Sequence, residues 1–568
     1  MSDRDLKTFK ISRLYALLGI FMLVSISLVA RAVQLQVMET DFLQGQGEAR
    51  HLRVVDLPTT RGVISDRHGE PLAVSTPVDS VWVNPQLILQ VPERIAELAG
   101  VLGADAEALE RKLTQRASRE FVWVKRRVHP GISEQLIQLD IPGVQLQKEY
   151  RRFYPAGEVA AHLVGFTNID DIGQEGLELA YNDWLEGTPG SKRVIKDRKG
   201  RTVEEIELVR KPAPGKDLRL TIDRRLQYLA YRELKRTVLE HGAASGSVVL
   251  LDIESGEVLA MANQPSYNPN RPGLSSDGVR NRALTDVFEP GSVMKPVAVL
   301  SLMENGVAAP STPVDTHPGY VYMAGYTIKD HRNFGLLDLT GVITKSSNVG
   351  MSKLVGELSS QQMWDTYTRL GFGEATGSGF PGESAGVLRD HARWRPVEQA
   401  TISYGYGLSV TVLQLAQAFA VLADEGRLRQ PSLILGASNP AVTVADPRLV
   451  REVATMLETV PGDEGTGRQA RVQNYRVAGK TGTSRKASAA GYASRYIASF
   501  AGFAPASDPR VVCIVVINDP SEGKFYGGDV AAPLFSSVVA GAMRVMNVPP
   551  DDYLPEPERL SVSREVAR

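Results

Sequence analysis

The feature that most constrains this chain lies at its start. Residues 14–30 form an uncharged, almost wholly apolar run of 17 residues, and Val33, Leu35 and Val37 carry its apolar character past Arg31. As a helix such a run is long enough to cross the hydrocarbon layer of a bilayer. A core helix of a soluble domain would keep one polar face, and this run has none. The sequence therefore predicts a single membrane anchor over residues 14–37. Upstream, Arg4, Lys7, Lys10 and Arg13 outweigh Asp3 and Asp5. The positive-inside rule then leaves residues 1–13 as a cytoplasmic tail and sends the remainder outward. A cleaved signal peptide is the competing reading, because Ala30-Arg31-Ala32 matches a small-x-small site. The length of the apolar run and the arginine inside that site both count against it.

Beyond the anchor the chain reads as water-soluble protein. Its 568 residues exceed one compact core and predict two to four folding units, with an ordinary 43% hydrophobic and 23% charged residues. The 64 Lys and Arg almost cancel the 65 Asp and Glu, so no field draws the chain to nucleic acid, and no nucleic-acid partner is expected. The single cysteine, Cys513, sits in the apolar run 511–517 and reads as a small core residue, so a disulfide framework is excluded.

Residues 38–216 carry mixed strand and turn signals, including Arg61-Gly62-Val63-Ile64-Ser65-Asp66-Arg67-His68-Gly69 and Tyr154-Pro155-Ala156-Gly157-Glu158. Their Gly and Pro positions suggest strands joined by tight turns. The stretch Lys211-Pro212-Ala213-Pro214-Gly215-Lys216 reads as a linker. A new unit, residues 217–547, opens where Asp223 can cap a helix with Leu226, Leu229, Ala230, Leu234 and Val238 on one face and Gly242 at its end. Residues 247–253 and 258–262 read as a β-hairpin, 476–483, 497–504 and 511–517 as three more strands, and 533–546 as a closing helix. Strands at both ends of a mostly helical middle imply an α+β fold, one sheet with helices on its faces. Residues 548–568 are Pro-rich and charged and read as a tail.

The chemistry begins at Ser292-Val293-Met294-Lys295, which follows Glu289-Pro290-Gly291 and opens an apolar-periodic stretch. Pro296 fits a helix only in its first turn, which puts Ser292 and Lys295 one turn apart on one face. A lysine desolvated in a closed cleft can lose its proton and activate such a hydroxyl. The spacing alone is weak, and Ser521-Glu522-Gly523-Lys524 repeats it, although Asp519-Pro520 and Gly523 argue for a turn there. Two further elements follow in order: Ser346-Ser347-Asn348 between helical stretches, and Lys480-Thr481-Gly482-Thr483 on a predicted strand. Lys480 and Ser346 can hold the proton network around Ser292, Asn348 can donate to a substrate amide, and Thr481 and Thr483 can bind a peptide carboxylate. Gly482 lets the strand backbone approach the substrate. The backbone N–H groups of Ser292 and Thr483 are natural oxyanion donors. Ser266-Tyr267-Asn268 precedes the nucleophile and reads as structural. Gly382-Glu383-Ser384-Ala385-Gly386 matches a hydrolase nucleophile elbow in letters, yet it lacks the preceding strand and the ordered acid and histidine. No metal-binding His-Glu-x-x-His helix and no phosphate-binding Gly loop occurs, so no metal or cofactor is expected.

Ser-x-x-Lys, a Ser-x-Asn triplet and Lys-Thr-Gly together form the signature of penicillin-binding enzymes and class A β-lactamases. A class A β-lactamase would add Glu-x-x-x-Asn between triplet and strand, and none is present. With RGVISDRHGEPLA at 61–73, RFYPAGEVAAHLVGFTN at 152–168, GQEGLE at 173–178 and YGYGLSVTVLQLAQAFA at 404–420, the sequence closely resembles the class B penicillin-binding proteins of the cell-division type over nearly its whole length. The resemblance implies a single transmembrane helix, a β-rich non-catalytic pedestal domain and a transpeptidase domain with an antiparallel sheet between helices. It implies a D,D-transpeptidase of the bacterial inner membrane, its catalytic domain periplasmic, acting on D-Ala-D-Ala termini of nascent peptidoglycan stem peptides and inhibited covalently by β-lactam antibiotics. Tyr496, Phe525 and Tyr526 resemble the family's aromatic wall beside the pocket. The implied partners are a multi-spanning glycan polymerase and septal regulators. Two other readings stay open: an elongation-type transpeptidase, and a catalytically idle β-lactam sensor or scaffold.

Overall fold

A computed structural model describes residues 3–38, 52–196, 202–273, 276–437, 439–488 and 491–552. The tail expected from residue 548 lies, past residue 552, outside the described residues. Helix α1 spans Asp3–Val33 and continues as a π-helical turn over Gln34–Met38. Its stretch Arg13–Val37 is long and apolar enough to cross a membrane. Phe21 and Leu23 are 73% and 72% exposed. Leaving a dozen such side chains in water forgoes roughly 1.5–3 kcal/mol each, which a hydrocarbon surround would supply.

By packing, the described chain divides into two units interleaved in sequence. The first takes residues 1–60, 77–150 and 187–214. It holds a three-stranded antiparallel sheet with Gly190–Lys196 between Leu52–Leu57 and Thr202–Arg210. A separate core gathers Val81, Val83, Leu98, Leu102, Leu113 and Val122. The strand-and-turn signals here miss three helices, Glu93–Leu102, Ala106–Thr114 and Pro130–Leu139. Gly103, at φ +61°, ends the first of these, and Asp105 caps the second by accepting from Glu107 and Ala108 N–H. A left-handed glycine here is a helix stop.

The second unit takes residues 61–76, 151–186 and 215–568. Its centre is a five-stranded antiparallel sheet built from β1 (Ser245–Asp252), β2 (Val258–Gln264), β3 (Ala478–Ser488), β4 (Gly491–Ala504) and β5 (Val511–Asn518). The order is β2-β1-β5-β4-β3, so the first and last strands of the sheet in sequence pair in the middle and β3 forms an edge. Alternation along β5 splits its side chains between two cores. Val512, Ile514 and Val516 join one, while Val511, Cys513, Val515 and Ile517 join the other. Helices α2 (Arg224–Glu240) and α5 (Gly527–Val545) cover the second of these faces. Helices α3 (Lys295–Glu304) and α4 (Val412–Ala423) fill the first. Asp223 caps α2 by accepting from Arg225 N–H at 2.9 Å, and Gly242 follows its end at φ +55°.

Helix α5 starts six residues before the position that Pro533 suggested. Packing sets that start, since a Cβ on Gly527 would lie 2.3 Å from the carbonyl oxygens of both Gly482 and Ser499. Within this unit a buried ion cluster ties residues 61–76 to residues 151–186. Glu178 accepts from Arg61 Nε and Arg152 Nε, each at 2.6 Å, and all three side chains are at most 2% exposed. Arg61 also donates to the carbonyls of Glu178 and Asp171. Removing one partner strands the others without solvent. We expect Glu178→Gln to cost about 3–5 kcal/mol of unfolding free energy by denaturant titration. Arg448→Gln, which breaks only the exposed pair with Asp446, should leave the unfolding midpoint nearly unchanged.

Candidate active site

Ser292 lies on a tight 3-10 turn, Gly291–Met294, that leads into α3 with Pro296 in its first turn. The hydroxyl therefore sits one step outside the α-helix that its spacing predicted. Gly291 stands at φ +65° and donates to Gly405 O at 3.1 Å. A Cβ on Gly405 would lie 2.1 Å from Gly291 O, so only glycine admits this approach. Val293, Met294 and Val297 plug the turn into the core, leaving Ser292 half-buried.

The triplet bends between helices Leu339–Lys345 and Asn348–Val355, with Ser346 in the left-handed region at φ +59°. Ser347 caps the second helix by accepting from Gly350 N–H. Asp330 holds the bend from outside, accepting from Ser347 Oγ at 2.5 Å, Asn348 N–H at 2.6 Å and Val349 N–H at 3.1 Å. Into this bend reaches Lys295, whose Nζ donates to Ser346 O at 2.5 Å and Asn348 Oδ1 at 2.8 Å and lies 3.1 Å from Ser346 Oγ. From the edge strand, Lys480 Nζ approaches the same Ser346 Oγ at 3.0 Å and donates to Thr481 O at 3.2 Å. One hydroxyl thus bridges two lysines.

Both ammonium groups are fully buried. Desolvation is the main cause that holds Lys295 well below the ordinary lysine range, with the neighbouring charge of Lys480 adding to it and Asp330 opposing. Desolvation likewise lowers Lys480 to about 7. A neutral amine has two N–H donors and a lone pair. Lys295 can spend both donors on Ser346 O and Asn348 Oδ1 and keep the lone pair as a base.

The strand residues divide their duties. Thr481 Oγ1 meets Thr466 Oγ1 at 2.7 Å, and Thr483 Oγ1 accepts from Gly527 N–H at 3.0 Å, which leaves its own proton free. Gly482 has no room for more, since a Cβ would stand 2.3 Å from Ser499 Oγ and 2.9 Å from Pro290 O. Tyr496 stacks on Phe525 with centroids 4.1 Å apart, and Phe525 contacts Tyr526 at 4.5 Å. Ser292, Ser346, Asn348, Thr481, Thr483 and these three aromatics line one open cleft of about 710 Å³. Of the other expected residues, Lys295 and Lys480 reach the cleft through Ser346, and Gly482 seats the strand against the nucleophile turn. The rival serines stay apart. Ser384 lies in a loop with no strand before it, Ser521 donates to Gly242 O, and Ser266 to Glu158 O. Among the described residues no acidic, His or Cys cluster could hold a metal ion.

Comparison with known proteins assigns the chain to a family. The profile described as penicillin binding protein transpeptidase domain matches residues 246–540, and that of the penicillin-binding protein dimerisation domain matches 56–220. The peptidoglycan D,D-transpeptidase FtsI of Escherichia coli K12 is 44% identical over 550 residues, covering 95% of this chain and 93% of that protein. The chain belongs to the class B penicillin-binding proteins. Among solved structures, the transpeptidase domain of Burkholderia pseudomallei penicillin-binding protein 3 is 41% identical, with a TM-score of 0.54 over 58% of this chain and 97% of that one. A peptidoglycan synthetase from Bifidobacterium adolescentis covers 88% of this chain and 97% of its own at 27% identity, with a TM-score of 0.69.

Sequence reading missed several residues of this penicillin-binding protein's cleft: His331, Tyr406, Thr466, Arg485 and Asp529 also line it. Gly465-Thr466-Gly467 carried a usable signal, because small residues around a threonine mark close packing, and a Cβ on Gly465 would lie 2.0 Å from Val460 O. Asp330 carried none, as nothing in one sequence links it to residue 347. The tight fit at Gly482 makes a sharp test. We expect Gly482→Ala to push the nucleophile turn and edge strand apart and slow covalent labelling by a penicillin by about 10²-fold, read by mass spectrometry over time.

Proposed function

We propose that this protein is the membrane-anchored D,D-transpeptidase that cross-links peptidoglycan stem peptides at the division septum. The observation that carries the chemistry is the Ser346 hydroxyl held between two lysines whose pKa burial lowers, in the same cleft as a half-buried serine. Ser292 Oγ attacks the carbonyl of the penultimate D-Ala while Lys295 takes its proton. The N–H groups of Ser292 and Thr483 stabilise the oxyanion. The Lys480–Ser346 network returns a proton to the departing D-Ala amine, and an acceptor amine then attacks the ester to release the cross-linked peptide. Asn348 donates to the donor peptide's amide, Thr481 and Thr483 hold its carboxylate, and Tyr496, Phe525 and Tyr526 wall its side. A β-lactam enters the same first step and stops there.

The order of domains supports the cellular part of the reading. The apolar helix α1 is the anchor, its basic flank Arg4 to Arg13 cytoplasmic and the catalytic domain periplasmic, in the inner membrane. The pedestal, read at residues 38–216, has no chemistry of its own and suits positioning by a multi-spanning glycan polymerase and other division proteins. Relatives named FtsI favour the septal role over lateral elongation.

A β-lactam should add one acyl group to the full-length protein. Ser292→Ala should abolish it and Lys295→Ala should slow it by about 10²–10⁴-fold. Labelling that persists in Ser292→Ala sinks the assignment. Because the active base is the neutral amine and burial lowers both lysine pKa values, acylation should be fast above them. It should fall as pH drops through the region near 7 given for Lys480. The two groups titrate as an interacting pair, so the profile reports the pair. In cells, depletion should block septation and give filaments that Ser292→Ala fails to rescue, whereas rounded, widened cells would assign the protein to elongation.

A further inference from the structure

A short hairpin beside the cleft carries aromatic faces that the reaction leaves unused. Strands Tyr320–Met323 and Tyr326–Lys329 pair antiparallel through Ala324 at φ +46° and Gly325 at φ +89°, the two left-handed positions of a type I′ turn. The register sets Tyr320 opposite Lys329 and Tyr322 opposite Thr327, so these four side chains share one face. All four are exposed, Tyr322 by 71%. The reverse face fixes the hairpin, with Ile328 in the main core and Val321 and Met323 packed on it. An isolated two-stranded hairpin is marginal in water, and this one is held by that face.

The hairpin also ties directly to the reaction centre. Asn348 Nδ2 donates to Lys329 O at 3.5 Å, and the next residue, Asp330, orders the catalytic triplet. His331, two residues past Lys329, lines the cleft and meets Tyr526 edge to face at 5.8 Å.

We propose that Tyr320, Tyr322, Thr327 and Lys329 form a glycan platform, which holds the sugar chain whose stem peptide lies in the cleft. The proposal rests on the transpeptidase reading and extends its substrate contact from peptide to sugar. The chemistry of the face fits a neutral pyranose chain. The π face of a tyrosine is electron-rich and receives the axial C–H face of a sugar, while phenol, hydroxyl and ammonium groups around it bond to ring hydroxyls and acetamido oxygens. A protein partner would favour a continuous apolar patch, and here polar donors stand opposite each ring. Reach is the second constraint. A stem peptide of about five residues spans at most about 17 Å, so its sugar must lie that close to Ser292. The platform's last residue is two residues, or about 7 Å of chain, from the cleft wall.

The test uses the full-length protein in detergent and, as probe, peptidoglycan glycan chains stripped of peptide by an amidase, the freed lactyl carboxylates capped as methylamides so that the chain is neutral, with binding measured by calorimetry. Wild type should bind these chains. The double variant Tyr320→Ala/Tyr322→Ala should lose at least about tenfold in affinity, while Tyr320→Phe/Tyr322→Phe, which keeps both aromatic faces, should retain most of it. Labelling by a β-lactam, which carries no sugar, reports the cleft separately. Were wild type unlabelled, the acyl-enzyme reading would fail while the glycan result stood. Absence of wild-type binding to stripped glycan overturns the platform. So does equal binding by the alanine variant, an outcome that would hand this face to a protein partner. If the double alanine variant also loses labelling, its fold has failed and Tyr322→Ala alone, at the more exposed ring, decides: wild-type labelling with severalfold weaker binding supports the platform, and unchanged binding refutes it.

Discussion

Two lysines share one serine hydroxyl in the centre of the second unit, and the architecture around them follows from that junction. A buried ammonium is tolerated only if it is neutralised, paired or fully hydrogen-bonded. Lys295 and Lys480 meet the condition by lowering their pKa and by lying against Ser346. Each comes from a different support. Lys295 leads a helix whose residues from Pro296 to Met303 are all buried. Lys480 comes from the edge of the sheet, and Ser346 from a bend fixed by Asp330. The sheet that carries Lys480 is closed by the pairing of β1 with β5, strands more than 200 residues apart in sequence.

Glycines set the remaining tolerance. The nucleophile turn is wedged between Gly405 on one side and Gly482 on the other, and Gly482 is backed in turn by Gly527. At each contact a single Cβ would collide with a backbone or hydroxyl oxygen. A larger residue at any of the three displaces the serine relative to the strand that holds the substrate, although none of the three takes part in the chemistry. The same packing explains why α5 starts at Gly527 instead of Pro533: its first turn has to lie against the strand.

What was legible in one sequence follows from whether the signal was local. The apolar run, the cap at Asp223 and the five strands of the sheet were readable because each is written in adjacent residues with a period of its own. The three catalytic motifs were readable because their spacing is short. The pedestal helices were hidden by punctuation, with Gly103 and Pro130 serving as helix stop and start inside a segment read as strands joined by turns. Asp330, Arg485 and the Glu178 ion cluster were invisible for another reason. Their partners lie 17 to 117 residues away, and no local pattern marks a pairing of that kind.

The position of β3 at the sheet edge ties the fold to its substrate. An exposed edge presents unpaired N–H and C=O groups, and proteins usually blunt it because it invites a foreign strand. Here the edge carries Lys480-Thr481-Gly482-Thr483, and it is left open along a cleft whose wall is aromatic. Under the proposed function that liability becomes the recognition device. An extended stem peptide can add to the edge by main-chain bonds, which are blind to side chains, while the threonines and Asn348 read its end. Main-chain pairing along the strand also fixes the peptide's direction, and with it the face of the scissile carbonyl that meets Ser292. A small rigid lactam needs no such alignment, since its ring already presents the carbonyl. Substrate and inhibitor should therefore differ in how much they depend on the edge, even though both end as an ester on the same serine.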